Sequence, residues 1–148
     1  MTTDLASIGS SPAVTCVATT TIAQAARSMA EHNIGSVVVV DDDRHVVGML
    51  TDRDIAVRAV GRDLAPDTEV GSIMSNEVIS VGLSADTAAA ARQMGTRGCR
   101  RLPVIDEEGR VVAVVSAEDL YRVGSEVLAE LDRVLGRSRG GSGLGARS

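Results

Sequence analysis

Aromatic side chains are nearly absent: the 148 residues contain no Phe, no Trp and a single Tyr, Tyr121. Any core must therefore be built from Val, Ile, Leu, Met and Ala. Hydrophobic residues still make up 44% of the chain, enough for a packed interior and too much for wholesale disorder. A planar ligand would lie between aliphatic walls, which excludes the aromatic stacking platforms of common single-strand nucleic-acid binders. Lysine is missing as well. All fifteen basic residues are Arg, each a planar fork suited to phosphate or carboxylate. Twenty acids outnumber them, and the net charge of −5 argues against binding nucleic acid by neutralising its phosphates.

Cysteine is scarce too. Cys16 and Cys99 lie far apart and form no metal-ligand spacing, so they read as small apolar thiols in a reducing compartment rather than as a disulfide. The start MTTDLASIGS has neither a basic run nor an apolar one, and no stretch is long enough to span a bilayer. The expectation is a soluble, cytoplasmic protein with neither a membrane nor a nucleic-acid partner.

What the chain does have is a duplication. NIGSVVVVDDDRHVVGMLTDRDI (33–55) returns as GCRRLPVIDEEGRVVAVVSAEDL (98–120) at a gapless offset of 65 residues. Met29 falls on Met94, Asp41 on Asp106, and Thr51 and Asp54 on Ser116 and Asp119. Solenoids repeat at shorter periods and need more copies, so two copies of this size read as a duplicated module with a cleft between its halves. In the first copy, helical spacing over Thr20–His32 precedes a short β-branched run at Ser36–Val40 and the turn DDDRH. A second strand at Val46–Leu50 and a helix from Thr51 to about Ala59 follow. The second copy repeats the order: Asp86–Thr96, Leu102–Ile105, Asp106–Arg110, Val111–Val115, then a helix from Ser116. Short strands near Val14–Val17 and Val78–Val81 complete two β-α-β-β-α units. The predicted boundaries are repeat 1 over 5–60, an exposed linker over 61–69 and repeat 2 over 70–124. A helical extension over 125–136 and a disordered tail over 137–148 complete the chain.

Each copy places a hydroxyl at a strand-to-helix junction with a carboxylate three residues on, Thr51 with Asp54 and Ser116 with Asp119. Two readings remain open at this point. The pattern is a capping box, which needs no ligand. The same geometry also suits a phosphate at the helix start and a ribose whose hydroxyls donate to the carboxylate. Catalysis finds no support: His32 and His45 have no nucleophile or carboxylate at a recognisable spacing, and the expectation is no enzyme. The acids of Asp41–Asp43 and Asp106–Glu108 read as solvated hairpin turns, with no metal site expected. Gly9, Gly35, Gly48 and Gly71 form no phosphate-binding glycine pattern.

Taken together, VVGMLTDRDI (46–55), VGSIMS (70–75), RRLPVID (100–106) and VVAVVSAEDL (111–120) resemble the tandem CBS (cystathionine β-synthase) domain pair, or Bateman module, over about residues 5–124. The VTCV and GMLTDRDI segments are similar to stand-alone pairs of the hypoxic response protein type. The resemblance implies an α+β fold of two β-α-β-β-α CBS repeats packed sheet to sheet with pseudo-two-fold symmetry. It further implies two clefts for an adenosine-type small molecule. In one, Ser116 and Asp119 would hold ribose and phosphate, Arg100 and Arg101 phosphate, and Val14, Ile34 and Gly35 would flank the base. In the other, Thr51 and Asp54 would act with Ile79, Cys99 and Arg100. Gly35-Ser36 stands where a second basic pair would be useful, so the clefts should be unequal, with the Asp119 cleft the better for a phosphorylated ligand.

The function so implied is that of a non-catalytic regulatory protein. No cofactor is required; AMP, ADP, ATP or S-adenosylmethionine are the candidate regulatory ligands, and the output passes through a homodimer or an unidentified protein partner. The alternative is a ligand-free dimerising interaction module.

Overall fold

The structure is a computed structural model that describes residues 4–140, with side chains through residue 136. The first half runs α1 (Leu5–Ile8), β1 (Thr15–Cys16), α2 (Ile22–His32), β2 (Ser36–Val40), β3 (Val46–Thr51) and α3 (Asp52–Asp54). That last helix continues through a π-helical turn, Ile55–Ala59, and a 3-10 turn, Val60–Arg62. A 3-10 turn at Val70–Ser72 opens the second half, followed by β4 (Val81–Gly82), α4 (Thr87–Arg97), β5 (Arg101–Ile105), β6 (Val111–Ser116) and α5 (Ala117–Gly140). Each half carries one three-stranded sheet, ordered β1-β2-β3 and β4-β5-β6. In both, the middle strand runs parallel to the short strand and antiparallel to its hairpin partner. This is the expected α+β pair of repeats, with shorter outer strands. Val78 leaves the predicted strand Val78–Val81 to pack between the sheets, and the ladder begins at Val81.

Local chemistry sets the helix ends. Thr21 and Gln24 form a reciprocal capping box at the start of α2, and the Asp86 carboxylate accepts from Ala89 N–H at the start of α4. Asn33 (φ 51°) and Gly98 (φ 67°) end the two helices in the left-handed conformation at equivalent repeat positions. The linker does more than connect. The carbonyls of Thr68 and Pro66 accept from Ile22 and Ala23 N–H, supplying partners for the free donors of the first turn of α2. At the other end α5 runs to Gly140, four residues into the stretch predicted as tail; residues 141–148 of that tail lie outside the described residues.

Strand alternation divides the core into layers. Val37, Val39 and Leu50 face α2 in the first repeat, and Leu102, Val104, Ala113 and Val115 face α4 in the second. The opposite faces meet: Val38, Val40 and Met49 pack with Val111 and Ala13 between the two sheets. The hairpin turns touch where the two halves are related to each other. His45 pairs with Arg110, its equivalent at the repeat offset, and the His45 ring binds the Glu108 carbonyl through Nε2 at 3.0 Å. Asp41 shapes its turn by accepting from Asp43 and His45 N–H, and Asp106 does the same with Glu108 and Arg110 N–H.

The opening segment of each repeat belongs to the core of the other. Leu5, fully buried, sits in the second repeat's core, while Val70 and Ile73 are buried in the first's. Ser10 pairs with Val114, and at the equivalent place Met49 pairs with Ser75. Both crossings need a glycine. A Cβ on Gly9 would collide with the Val114 carbonyl, and one on Gly48 would lie 2.5 Å from Met74 Sδ and 2.9 Å from the Ser75 carbonyl.

Because Leu5 is buried in the second core, Leu5→Ala should cost about 2–5 kcal/mol and shift one cooperative urea transition of the whole chain. Two separated transitions, with the second repeat unaffected, would contradict the exchange. A second prediction concerns Asp41, whose carboxyl is held below the ordinary aspartate value, first by the His45 N–H bond. Its contribution is present above that value and is lost as pH falls through the lower folded value. The stability gap between the wild type and Asp41→Asn should therefore shrink as the pH is lowered through and below the ordinary aspartate range, as read by urea unfolding at each pH.

Candidate functional site

The two strand-to-helix junctions form the floors of two clefts between the repeats. At the first, Thr51 Oγ1 accepts from Asp54 N–H at 3.0 Å, and Asp54 Oδ2 accepts from Thr51 N–H at 2.9 Å. At the second, Ser116 Oγ accepts from Asp119 N–H at 3.0 Å, and Asp119 Oδ2 accepts from Ser116 N–H at 2.9 Å. The capping reading is thus realised in both copies. It uses only one oxygen of each carboxylate. Asp54 Oδ1 lies a loose 3.8 Å from Arg58 Nε, whereas Asp119 Oδ1 is bound by Arg122 Nη2 at 3.0 Å.

A cavity of about 330 Å³ adjoins Thr51 and Asp54, and a smaller one of about 180 Å³ adjoins Ser116 and Asp119. Their walls correspond through the repeat: Ser75 and Ile79 in the first match Ser10 and Val14 in the second, and Cys99 matches Ile34. Each cavity takes residues from both halves. Small-molecule sites usually occupy about 300–1,000 Å³, a range that the Asp54 cleft reaches and the Asp119 cleft does not.

Of the residues singled out in the sequence, Thr51, Asp54, Ile79 and Cys99 come together in the first cleft. Val14, Ile34, Gly35, Ser116 and Asp119 come together in the second. Arg101 lines both. Arg100 lines neither: it precedes β5 with its side chain 75% exposed and forms an ion pair with Glu118. Neighbouring residues at a strand start point to opposite sides, so only one of the arginine pair turns between the repeats.

Electrostatics separates the clefts further. The Asp54 cleft adds Arg58 and Arg97 to Arg101, three guanidinium groups against Asp54 and Glu77. The Asp119 cleft sets Arg101 alone against Glu118 and Asp119. The Glu118 carboxyl is held below its ordinary value by its own backbone N–H and then by Arg100. Both size and charge therefore favour the Asp54 cleft for an anion, the reverse of the preference read from the sequence. Arg58 was legible, one helical turn beyond Asp54. Arg97 and Glu118 carried no signal, because what they face depends on how the repeats pack.

Among the described residues, neither cysteine is an activated nucleophile. Both cysteines are free, and burial pushes the Cys16 thiol up to about 11, leaving it protonated despite the Thr20 hydrogen bond. Asp41, Asp43 and His45 cluster at the first hairpin, where Asp41 already serves the turn. No described helix is long and apolar enough to cross a membrane.

The family described as CBS domain matches residues 5–61 and again 70–126. An uncharacterized protein of Methanopyrus kandleri is 33% identical over 115 residues, 77% of this chain and 59% of that protein. The chain thus spans well under two thirds of that relative's length. Hypoxic response protein 1 of Mycobacterium tuberculosis is 36% identical over 111 residues, 74% of this chain and 77% of its own. Among solved structures, the CBS domain pair of protein MJ0100, in complex with 5′-methylthioadenosine and S-adenosyl-L-methionine, superposes with a TM-score of 0.75. It is 28% identical and covers 85% of this chain and 98% of that one. The CBS domain protein PAE2072 from Pyrobaculum aerophilum, complexed with AMP, gives a TM-score of 0.72 at 27% identity, covering 79% and 89%. CBS pairs are generally regulatory rather than catalytic, although one relative, of which the match spans 22%, is named L-aspartate semialdehyde sulfurtransferase, from Methanocaldococcus jannaschii. On two successive matches, a shared fold and this level of identity, the chain belongs to the CBS domain family.

Proposed function

We propose that this chain is a non-catalytic ligand sensor that binds an adenosine-containing molecule, AMP, ADP, ATP or S-adenosylmethionine, in the clefts between its repeats. The observation that carries the reading is the second oxygen of the boxed Asp54 carboxylate. Asp54 Oδ2 is committed to the cap, while Oδ1 has only a 3.8 Å contact with Arg58 and can accept from ribose hydroxyls. Ile79, Val78 and Cys99 offer an apolar slot for a base, and Arg58, Arg97 and Arg101 offer charge for phosphate. Similar CBS pairs that hold AMP, or 5′-methylthioadenosine with S-adenosyl-L-methionine, support the ligand class. The Asp119 cleft, with Glu118 at its mouth, suits an uncharged or sulfonium-bearing adenosine better than a phosphate.

Each cleft draws on both repeats, so a ligand that bridges them favours one packing of the pair over another. The signal then passes to a second copy or to an unidentified protein partner. The stripe Val127, Leu128, Leu131, Val134 and Leu135 on α5, each at least half exposed, supports the homodimer.

Calorimetric titration with AMP, ADP, ATP and S-adenosylmethionine should show saturable binding, and Asp54→Asn should weaken AMP at least about tenfold. Asn keeps an acceptor for Thr51 N–H, so thermal stability should fall by no more than about 1 kcal/mol. Unchanged AMP affinity in this variant would remove Asp54 from the site. Absence of heat and of thermal stabilisation with every ligand at millimolar concentration would leave the dimerising interaction module.

A further inference from the structure

Arg101 has no equivalent in the first repeat. The residue at its repeat position is Ser36, and both open the middle strand of their sheet. Alternation along β2 and β5 turns both toward the other repeat, on the same face as Val38 and Val40. Two related clefts therefore meet one guanidinium where strict symmetry would supply two, and Arg101 lines both. A Cβ on Gly35 would lie 2.9 Å from Arg101 Nη2 and 3.1 Å from Asp52 Oδ2, so the guanidinium comes close to the first repeat over this glycine, beside the Asp52 carboxylate. Among the described residues Arg101 forms no ion pair and donates no side-chain hydrogen bond, although it is half-buried. A half-buried cation that stands near the Asp52 carboxylate without forming an ion pair with it, set between two cavities, is placed for an incoming anion.

We infer that Arg101 is a shared phosphate ligand that makes the two clefts antagonistic toward phosphorylated adenosines. This rests on the reading of the clefts as adenosine sites. A fork committed bidentately to a phosphate in one cleft has no donors aimed at the other. The Asp54 cleft wins because Arg58 and Arg97 assist there, whereas in the Asp119 cleft Glu118 and Asp119 already occupy Arg100 and Arg122, which leaves no guanidinium for a second phosphate. Uncharged adenosines make no demand on Arg101, so they are free of the antagonism. The duplicated fold becomes a sensor of ligand charge: one phosphorylated ligand per chain, or two uncharged ones.

The test compares AMP with 5′-methylthioadenosine on the full chain by calorimetry. AMP should bind with one strong step per chain, any second step being weaker by about tenfold or more, whereas 5′-methylthioadenosine should fill two sites. In Arg101→Gln the strong AMP step should weaken and the gap between the two steps should close, with 5′-methylthioadenosine binding retained. That retained binding also shows the variant is folded. Two equal AMP sites in the wild type would overturn the inference, as would an unchanged AMP profile in the variant. One 5′-methylthioadenosine per chain would also overturn it, since the limit would then be the size of the Asp119 cleft. No binding of either compound would remove the sensor reading itself, and this inference with it.

Discussion

The contact on which the architecture depends is the reciprocal crossing of opening segments. Gly9 lies against the Val114 carbonyl, and Gly48 against Met74 and Ser75, so each half supplies a piece of the other's core. Leu5 completes the second repeat, and Val70 and Ile73 complete the first. Neither three-stranded sheet has all of its own apolar cover. Small sheets of this kind need packing on more than one side to be stable, and the exchange supplies it. It also fixes how the sheets face each other, because Val38, Val40, Met49 and Val111 are held in contact from both ends.

That fixed relation creates the clefts. Their floors are capping boxes formed within a few residues of sequence, while their walls come from the opposite repeat. One carboxylate oxygen holds the helix start and the other remains outward, so capping and ligand binding are compatible uses of the same side chain. What separates the two clefts is the traffic around that outward oxygen. Arg122 engages Asp119 closely, whereas Arg58 stands back from Asp54. Duplication copied the floor, and divergence of neighbouring residues made the sites unequal.

The difference comes down to a few positions at one offset. Gly35-Ser36 in the first repeat stands opposite Arg100-Arg101 in the second. Arg100 turns outward to Glu118 and Arg101 turns inward between the clefts.

The sequence by itself determined the duplication, the strand and helix order, the turns at Asp41 and Asp106, and the two boxes at Thr51 and Ser116. These follow from periodicity and from hydrogen bonds spanning four or fewer residues, information that is local along the chain. Ten of the 21 residues that line the clefts followed from the resemblance to the CBS pair rather than from local spacing. Only the tertiary structure decided that the repeats exchange their first segments, that Arg100 lines neither cavity, and that Arg58, Arg97 and Glu118 do line one. It also decided that the Asp54 cleft is the larger and more cationic of the two. The physical reason is that cavity size and charge are sums over residues far apart in sequence, and those sums exist only once the two sheets have packed.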